Sequence, residues 1–401
     1  MNRRKGYECH QENLEQEKTA DYRQYVITGS PDRLGQELSS RHPGEERPRR
    51  AELTAEQIAF SHACAKEARL IYPPLVEELE AWAEASSVPL DEAYFYLSVG
   101  MTETSRQGRS RAASTRVAAD ENRQCSTVGL MTRQGPVVGR NFDLFYRVRV
   151  RHRITTKPET GFAHVGMYDG LVAGRTDGLN EEGLFVSLQT VRSRPPEKRK
   201  PGLFCVHIAR IVLETCSTAV EAAARIALLP HLASYNYFLA DPNEMLVVEA
   251  HPERVRMRAT DRGVLACANH YAHPDTVALM RAEPPRSRAR QEFLTEGARR
   301  LLDIEDPPAA RSPTRRGEEQ GPGEGSLPEA STASAVSGVA SLLRDHTVPV
   351  CGHADGMATL WSSVAVPRLG WIAFSPGAPC RNGYVETSIS TSAGRDLGDP
   401  R

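Results

Sequence analysis

The junction between residues 124 and 125 constrains the fold of this chain more than any other feature of its sequence. The stretch that precedes it, "TSRQGRSRAASTRVAADENRQ", is polar and rich in arginine and shows neither helical nor strand periodicity. Cys125 then begins "CSTVGLMT", a run typical of a buried β-strand. A single cysteine therefore stands where a linker meets a core strand.

Helical patterns precede this junction, and strand patterns dominate after it. A capped helix is predicted from Thr54, a second helix restarts at the Pro73–Pro74 pair, and a third covers Leu90–Met101. Beyond Cys125, strands and hairpins alternate with a few helices, which indicates an α+β protein built in layers. The predicted segments are a disordered tail (1–50), a helical segment (51–124) and a β-rich body (125–401) that contains a disordered insertion (305–334).

Composition excludes several classes of partner. The 401 residues carry a formal net charge of −1, so no global basic field favours a nucleic acid. The chain has neither a run of ~20 apolar residues for a membrane span nor an apolar segment typical of a secretion signal. We therefore expect a cytoplasmic protein with no membrane partner, in an oligomeric state that the sequence leaves open.

The cysteines predict neither a disulfide scaffold nor a metal site. The eight cysteines form no CxxC pair and no spacing typical of metal ligands, and a chain of this length does not need disulfides to fold. No glycine-rich phosphate loop occurs in a suitable context either. We expect no metal and no cofactor.

A cysteine at position 125 becomes chemically special if the chain is cut between Gln124 and Cys125. The new N-terminal residue would carry a thiol nucleophile together with an α-amine whose pKa is about 7.7–8.0, close enough to neutrality to accept the thiol proton. One residue would then supply both the nucleophile and its base. Such a site also needs an acid to position the amine, a nearby cation and donors for an oxyanion.

Residues of these types follow Cys125. The motif "GRNFD" places Arg140 and Asp143 on the second strand of a predicted hairpin, where both can return beside Cys125. Asn269 ends the strand "GVLACAN", and Arg288 opens a helix in "SRAR". Each residue also has a structural interpretation: a buried core cysteine, a turn-capping aspartate, a loop-satisfying carboxamide or a surface arginine.

The motifs together resemble a known family. In order and spacing, the chain is similar over residues 54–390 to the peptidase C45 family, the acyl-coenzyme A:6-aminopenicillanate acyltransferase-like branch of the N-terminal nucleophile (Ntn) hydrolases, and it shares motifs with choloylglycine hydrolases. The motifs are "CST", "GRNFD", "DGLNEEGL", "SYNYFLAD", "ACANHY", "SRAR", "TLWSSVAVP" and "GAPC".

This resemblance implies a four-layer αββα sandwich, made as a proenzyme and cut into an α chain and a β chain. By position in the motifs, it implies that Cys125 is the nucleophile, Asp143 holds its amine and Asn269 donates to the oxyanion. Arg140 matches an arginine beside the thiol in choloylglycine-type enzymes, and Arg288 is a looser match. The chain departs from the family's pattern at two positions. Gln124 stands where many relatives have a small residue before the cysteine. Choloylglycine-type relatives have an oxyanion asparagine after the NEEGL motif, and Gln189 is its candidate substitute here.

The predicted activity is cleavage of a carbon–nitrogen amide bond in a small N-acyl compound, through an acyl-thioester on the cysteine. Water as the acceptor gives an amidohydrolase, and an amine as the acceptor gives an acyltransferase. A third possibility is a non-catalytic binding protein with the same fold. Gln124 favours this possibility, whereas the presence together of Cys125, Arg140, Asp143 and Asn269 argues against it.

Overall fold

The structure is a computed structural model that describes residues 18, 20–42, 52–101, 124–146, 148–284, 286–305, 330–353 and 357–389. Two β-sheets form its centre. The first sheet has eight strands in the order β1-β4-β5-β6-β7-β8-β9-β10, and the second has six in the order β11-β2-β3-β12-β13-β14. The strands are β1 (Gln24–Gly29), β2 (Ser126–Thr132), β3 (Gly135–Phe145), β4 (His152–Pro158), β5 (His164–Tyr168), β6 (Asp177–Asn180), β7 (Phe185–Thr190), β8 (Tyr235–Ala240), β9 (Met245–His251), β10 (Arg254–Ala259), β11 (Val264–Cys267), β12 (Met357–Val366), β13 (Trp371–Pro376) and β14 (Val385–Ser388).

Helices cover the outer faces of the two sheets. The α-helices are α1 (Pro31–Arg41), α2 (Ala55–Ile71), α3 (Pro73–Ala85), α4 (Leu90–Ala93), α5 (Cys205–Thr215), α6 (Ala219–Leu228), α7 (Pro274–Val277), α8 (Ser287–Glu305) and α9 (Ala330–Leu343). Short 3-10 helices span Tyr94–Met101 and Pro367–Leu369. As predicted, α2 begins with a capping box at Thr54. The side chain of Thr218 caps α6.

Three apolar clusters define the order of the layers. One lies between the sheets and includes Cys125, Phe142 and Trp361. A second packs α8 and α9 against the outer face of the six-stranded sheet, and a third packs α1 to α6 against the eight-stranded sheet. The layers therefore follow the order helix, sheet, sheet, helix, which confirms the predicted αββα sandwich.

The hairpin of β2 and β3 is formed as the sequence predicts. The strands pair in antiparallel register from Ser126 opposite Asn141 to Thr132 opposite Gly135. Gly135 closes the turn with φ of +93°, a conformation that favours glycine. Gln124 continues the pairing, because its backbone N–H donates to the carbonyl of Asp143 at 3.4 Å.

The prediction of a disordered tail over residues 1–50 is wrong for residues 24–41. Strand β1 pairs in parallel with β4, and α1 follows it with Ser30 as its N-cap and Pro31 in its first turn. The alternating burial of Tyr25 and Ile27 on β1 is too short a pattern to stand out in a charged segment. A partner strand more than 120 residues away supplies the hydrogen bonds that make it a strand.

The predicted insertion at residues 305–334 differs from the structure at both ends. Glu305 is the last residue of α8, and α9 begins at Ala330, so residues 330–334 are helical. Residues 306–329 lie outside the described residues.

Within the described ranges, none of the helices is both long enough and apolar enough to cross a bilayer.

Candidate active site

Cys125 lies at the start of β2 with its side chain in the apolar cluster between the two sheets. It is fully buried, so its thiol is closed off from solvent.

Arg290 binds the backbone on both sides of the predicted cleavage point. Its Nη1 donates to the carbonyl oxygen of Gln124, to that of Cys125 at 3.0 Å and to the Ser126 hydroxyl at 2.7 Å. Its Nη2 donates to Asn269 Oδ1 at 3.1 Å. The guanidinium has no solvent exposure, and this burial lowers the pKa of Arg290 from its usual value. A buried cation therefore sits on the carbonyl that cleavage would attack.

The structure places Asp143 directly across the hairpin from Gln124. Its Oδ1 accepts a hydrogen bond of 2.7 Å from the Thr359 hydroxyl, and among the described residues its Oδ2 accepts none. Burial raises the pKa of Asp143 to about 7, although Arg290, Thr359 and Arg140 each favour the charged form. A carboxylate oxygen is thus left available beside the junction.

Asn269 is joined to the cysteine through Arg290. Its Nδ2 donates to the carbonyl of Thr190 at 2.9 Å, and its backbone N–H donates to the Ser287 hydroxyl at 2.9 Å. Asn236 supports the turn from below, since its Nδ2 donates at 2.9 Å to the carbonyls of both neighbours of Asn269. The carboxamide donor predicted for the oxyanion is therefore near the site, and one of its N–H groups is engaged by a backbone carbonyl.

Arg140 connects the two sheets. It is fully buried on β3, where its Nη1 lies 2.6 Å from Asp177 Oδ2 on β6 and its Nη2 donates to the carbonyl of Leu188 at 3.0 Å. The same Asp177 oxygen accepts from the indole N–H of Trp361 at 3.3 Å. The positive charge predicted beside the thiol is therefore also one half of a buried ion pair.

Gln189 has both ends of its side-chain amide occupied. Its Nε2 donates to the hydroxyls of Thr127 at 2.6 Å and Ser187 at 3.1 Å, and its Oε1 accepts from the Cys267 thiol at 2.9 Å. Its amide belongs to a buried polar network between the sheets. The structure does not leave this amide open as an oxyanion donor.

Arg288 is not brought to the site. It lies on the exposed side of α8, where its Nη2 pairs with Glu283 Oε2 at 2.9 Å, and its side chain is 57% exposed. The arginine that sequence reasoning missed is Arg290, two positions further along. Helical phase was the available signal, because Arg290 lies four residues before the buried Leu294 and so shares its face.

A second polar cluster lies on the far side of Asp143. The ligand atoms of His346, Cys351, His353 and Cys380 all lie within 4.8 Å of one another. The sequence predicted no metal site, since the cysteines show no spacing typical of metal ligands. This cluster was missed because the four residues come from two separate loops.

The fold and this arrangement define a class: a four-layer sandwich with a buried cysteine at the start of a central strand and an arginine, an aspartate and an asparagine around it. Comparison with known families adds a direct match. The chain matches the model of the family "Acyl-coenzyme A:6-aminopenicillanic acid acyl-transferase" over residues 130–303. This match bears out the resemblance predicted from the motifs over the residues that it covers.

Solved structures with some similarity include an acylase, an acid amidase and a bile acid hydrolase. Penicillin V acylase from Agrobacterium tumefaciens is 15% identical, with a TM-score of 0.45 over 68% of this chain and 89% of that chain. The Caenorhabditis elegans orthologue of N-acylethanolamine-hydrolyzing acid amidase is 17% identical (TM-score 0.42; 61% and 94% covered). A variant of conjugated bile acid hydrolase from Clostridium perfringens is 14% identical (TM-score 0.42; 67% and 94% covered). A search of curated proteins gives no match.

Proposed function

We propose that this chain is a proenzyme that cuts itself between Gln124 and Cys125. The mature enzyme then hydrolyses the amide bond of a small N-acyl compound through an acyl-thioester on Cys125. The observation that carries this proposal is the contact between the buried Arg290 guanidinium and the carbonyl oxygen of Gln124. A structural role alone does not require a cation on that particular carbonyl.

The cutting step follows from this contact. The Cys125 sulfur attacks the carbonyl carbon of Gln124, and the carbonyl oxygen takes up negative charge, which the guanidinium of Arg290 stabilises. The C–N bond then breaks, a C–S bond remains, and the amine leaves with the thiol proton. Water hydrolyses this thioester to give a carboxylate at Gln124 and a free cysteine at the new N-terminus.

The same groups serve the mature enzyme. The released α-amine of Cys125 accepts the thiol proton, and the available Oδ2 of Asp143 accepts a hydrogen bond from the resulting ammonium. Asn269 donates to the substrate oxyanion through the second N–H of its Nδ2, while the first stays on the carbonyl of Thr190. Arg140 faces the same layer between the sheets as Cys125 and favours the thiolate there.

The two chains produced by the cut stay together in this proposal. Strand β1 and helices α1 to α4 all precede the junction, and their apolar residues share one core with β4, β5, β7, β8 and β9 and with α5 and α6. The N-terminal segment is therefore part of the sandwich. We also propose a reducing compartment, the cytoplasm, because a chain of this length does not need disulfides to fold.

Acyl transfer is the second candidate, and the name of the matching family favours it. The thioester and the oxyanion donors are the same for both activities, and only the acceptor differs. Hydrolysis is the default because water needs no binding site of its own.

Intact-mass measurement and N-terminal sequencing of the purified protein test the cut. We expect two chains, 1–124 and 125–401, the second beginning Cys-Ser-Thr, and a single 44.2 kDa chain for Cys125→Ala. Cys216→Ala, which removes a buried thiol in the helical layer, is the matched control and should be cut. A wild-type protein that remains one chain and is inactive would leave the non-catalytic binding protein as the better description.

The processed protein is then assayed against N-acyl amino acids, N-acyl amines and penicillins, with and without acyl-coenzyme A. Release of the free acid without any added amine supports the hydrolase. Product that forms only when an acyl donor and an amine are both present would make the protein an acyltransferase.

A further inference from the structure

Four side chains capable of binding a metal converge at one end of the six-stranded sheet. His346, Cys351 and His353 lie in the segment that follows α9, and Cys380 lies in the turn between β13 and β14. His353 Nε2 is 3.3 Å from Cys351 Sγ and 3.1 Å from Cys380 Sγ. The imidazole rings of His346 and His353 meet edge to face, with their centroids 5.1 Å apart.

These distances fit a tetrahedral ion. Zinc binds sulfur at about 2.3 Å and imidazole nitrogen at about 2.0–2.1 Å, so a tetrahedral ion holds neighbouring S and N ligands about 3.5 Å apart. The observed distances of 3.1 and 3.3 Å, with an upper bound of 4.8 Å for the whole set, bracket that separation.

We propose that His346, Cys351, His353 and Cys380 form a structural zinc site of the Cys2His2 type. Two thiolates and two imidazoles in tetrahedral geometry are the donor set that selects zinc among common divalent ions. The set supplies four protein ligands and so leaves no open coordination position. The site therefore serves structure, and it takes no substrate.

The position of this zinc site explains what it would stabilise. Gly352 lies between two of the ligands, and its backbone N–H donates to the Thr359 hydroxyl at 3.0 Å, which in turn donates to Asp143. The glycine packs so closely on Asp143 that a Cβ added to it would lie 3.2 Å from Oδ2. Zinc would thus fix the loop that covers this carboxylate. This consequence, unlike the site itself, rests on the proposed function.

A disulfide between Cys351 and Cys380 is the competing use of the same two thiols. A disulfide would leave the two histidines without a role, whereas zinc uses all four groups. The two possibilities differ in what the fully reduced protein binds.

Zinc binding is tested on the full-length protein, kept reduced and freed of metal by a chelator. Titration with Zn²⁺ against a chromogenic competitor should give one tightly bound ion per chain. Cys380→Ser and His353→Ala should lose that binding, while Cys216→Ser, a buried thiol far from the cluster, should keep it. Circular dichroism of each variant confirms that it is folded.

Cobalt provides a second readout on the wild-type protein, so the test does not depend on variants that fold. Co²⁺ should give intense visible bands typical of tetrahedral coordination and a near-ultraviolet band from its thiolates, and Zn²⁺ should displace it. The absence of stoichiometric binding in the reduced protein would overturn the proposal, as would equal binding by wild type and Cys380→Ser.

Discussion

Arg288 and Arg290 are two residues apart on α8 and face opposite environments. Arg288 is exposed and pairs with Glu283, whereas Arg290 is fully buried on the carbonyls of Gln124 and Cys125. The pair offers a matched comparison, because both substitutions remove one arginine from the same turn of the same helix.

We expect Arg290→Ala to slow the cut at Gln124 by about 10²–10³-fold, the usual effect of removing one oxyanion donor. Arg288→Ala should be cut at the wild-type rate. The rate is measured as conversion of freshly refolded chain on a denaturing gel. Equal rates for the two variants would remove Arg290 from the cutting step.

Burial raises the pKa of Asp143 to about 7, and this predicts a pH dependence for a cut that uses the ionised carboxylate. If the ionised carboxylate is needed, the rate should rise as pH increases through about 7 and then level off, and Asp143→Asn should lose this rise together with most of the rate. Asp261→Asn, which removes an exposed carboxylate, is the control and should keep the wild-type profile. A wild-type profile that is flat between pH 5 and 8 would exclude a role for the ionised Asp143 carboxylate in the cut.

The same raised pKa predicts a change in stability. A folded-state pKa above the usual 3.8 means that the folded chain holds the proton more tightly than the unfolded chain. Both states are protonated below about pH 4, so the group costs nothing there, and its cost grows as pH rises towards 7. Asp143→Asn should gain stability over wild type across this window, by at most about 4 kcal/mol. Denaturant unfolding at pH 4 and pH 7, on uncut chains that also carry Cys125→Ala, measures the difference.

Asn269→Ala should leave most of the cutting intact and lower the turnover of the processed enzyme by about 10²–10³-fold. The two steps separate because Arg290 contacts the Gln124 carbonyl, whereas Asn269 Nδ2 donates to the carbonyl of Thr190. Asn243→Ala, at the turn between β8 and β9, serves as the control. Unchanged kcat in processed Asn269→Ala would exclude this residue as an oxyanion donor.

The ion pair of Arg140 and Asp177 predicts a non-additive pair of substitutions. Arg140→Met leaves a buried carboxylate uncompensated and should reduce the free energy of unfolding by about 3–5 kcal/mol. The double variant with Asp177→Leu should be more stable than Arg140→Met alone. Arg299→Met, which breaks an exposed pair with Asp261, should cost no more than about 1 kcal/mol. Additive effects of the two buried substitutions would show that the pair is not coupled.

The sequence was sufficient for those parts of the site that depend on local geometry. A short hairpin returns its second strand beside its first, so the placement of Asp143 across from Gln124 follows from the turn at Gly135 alone. Arg290 was missed because the match to a motif pointed to Arg288 and took no account of which face of the helix is buried. Arg290 lies on the same buried face as Leu294.

Other parts depend on contacts between distant segments. Strand β1 forms because β4 supplies its hydrogen bonds. The sequence of residues 24–29 does not by itself indicate that β4 is the partner strand. The histidine and cysteine cluster joins two loops whose separation in sequence follows no repeated spacing, since Cys380 lies 27 positions after His353. Side chains that meet only through the tertiary fold leave no local trace.

The hydrogen bond from Arg290 to Gln124 spans 166 positions of the chain. Most of the β-rich body has to be made and arranged before the guanidinium reaches that carbonyl. A cut that depends on this contact occurs only after folding, because a nascent or misfolded chain does not have the Arg290 guanidinium at the Gln124 carbonyl. The Cys125 thiol would then be activated only in fully folded molecules, and incompletely folded chains would not expose an activated nucleophile in the cell.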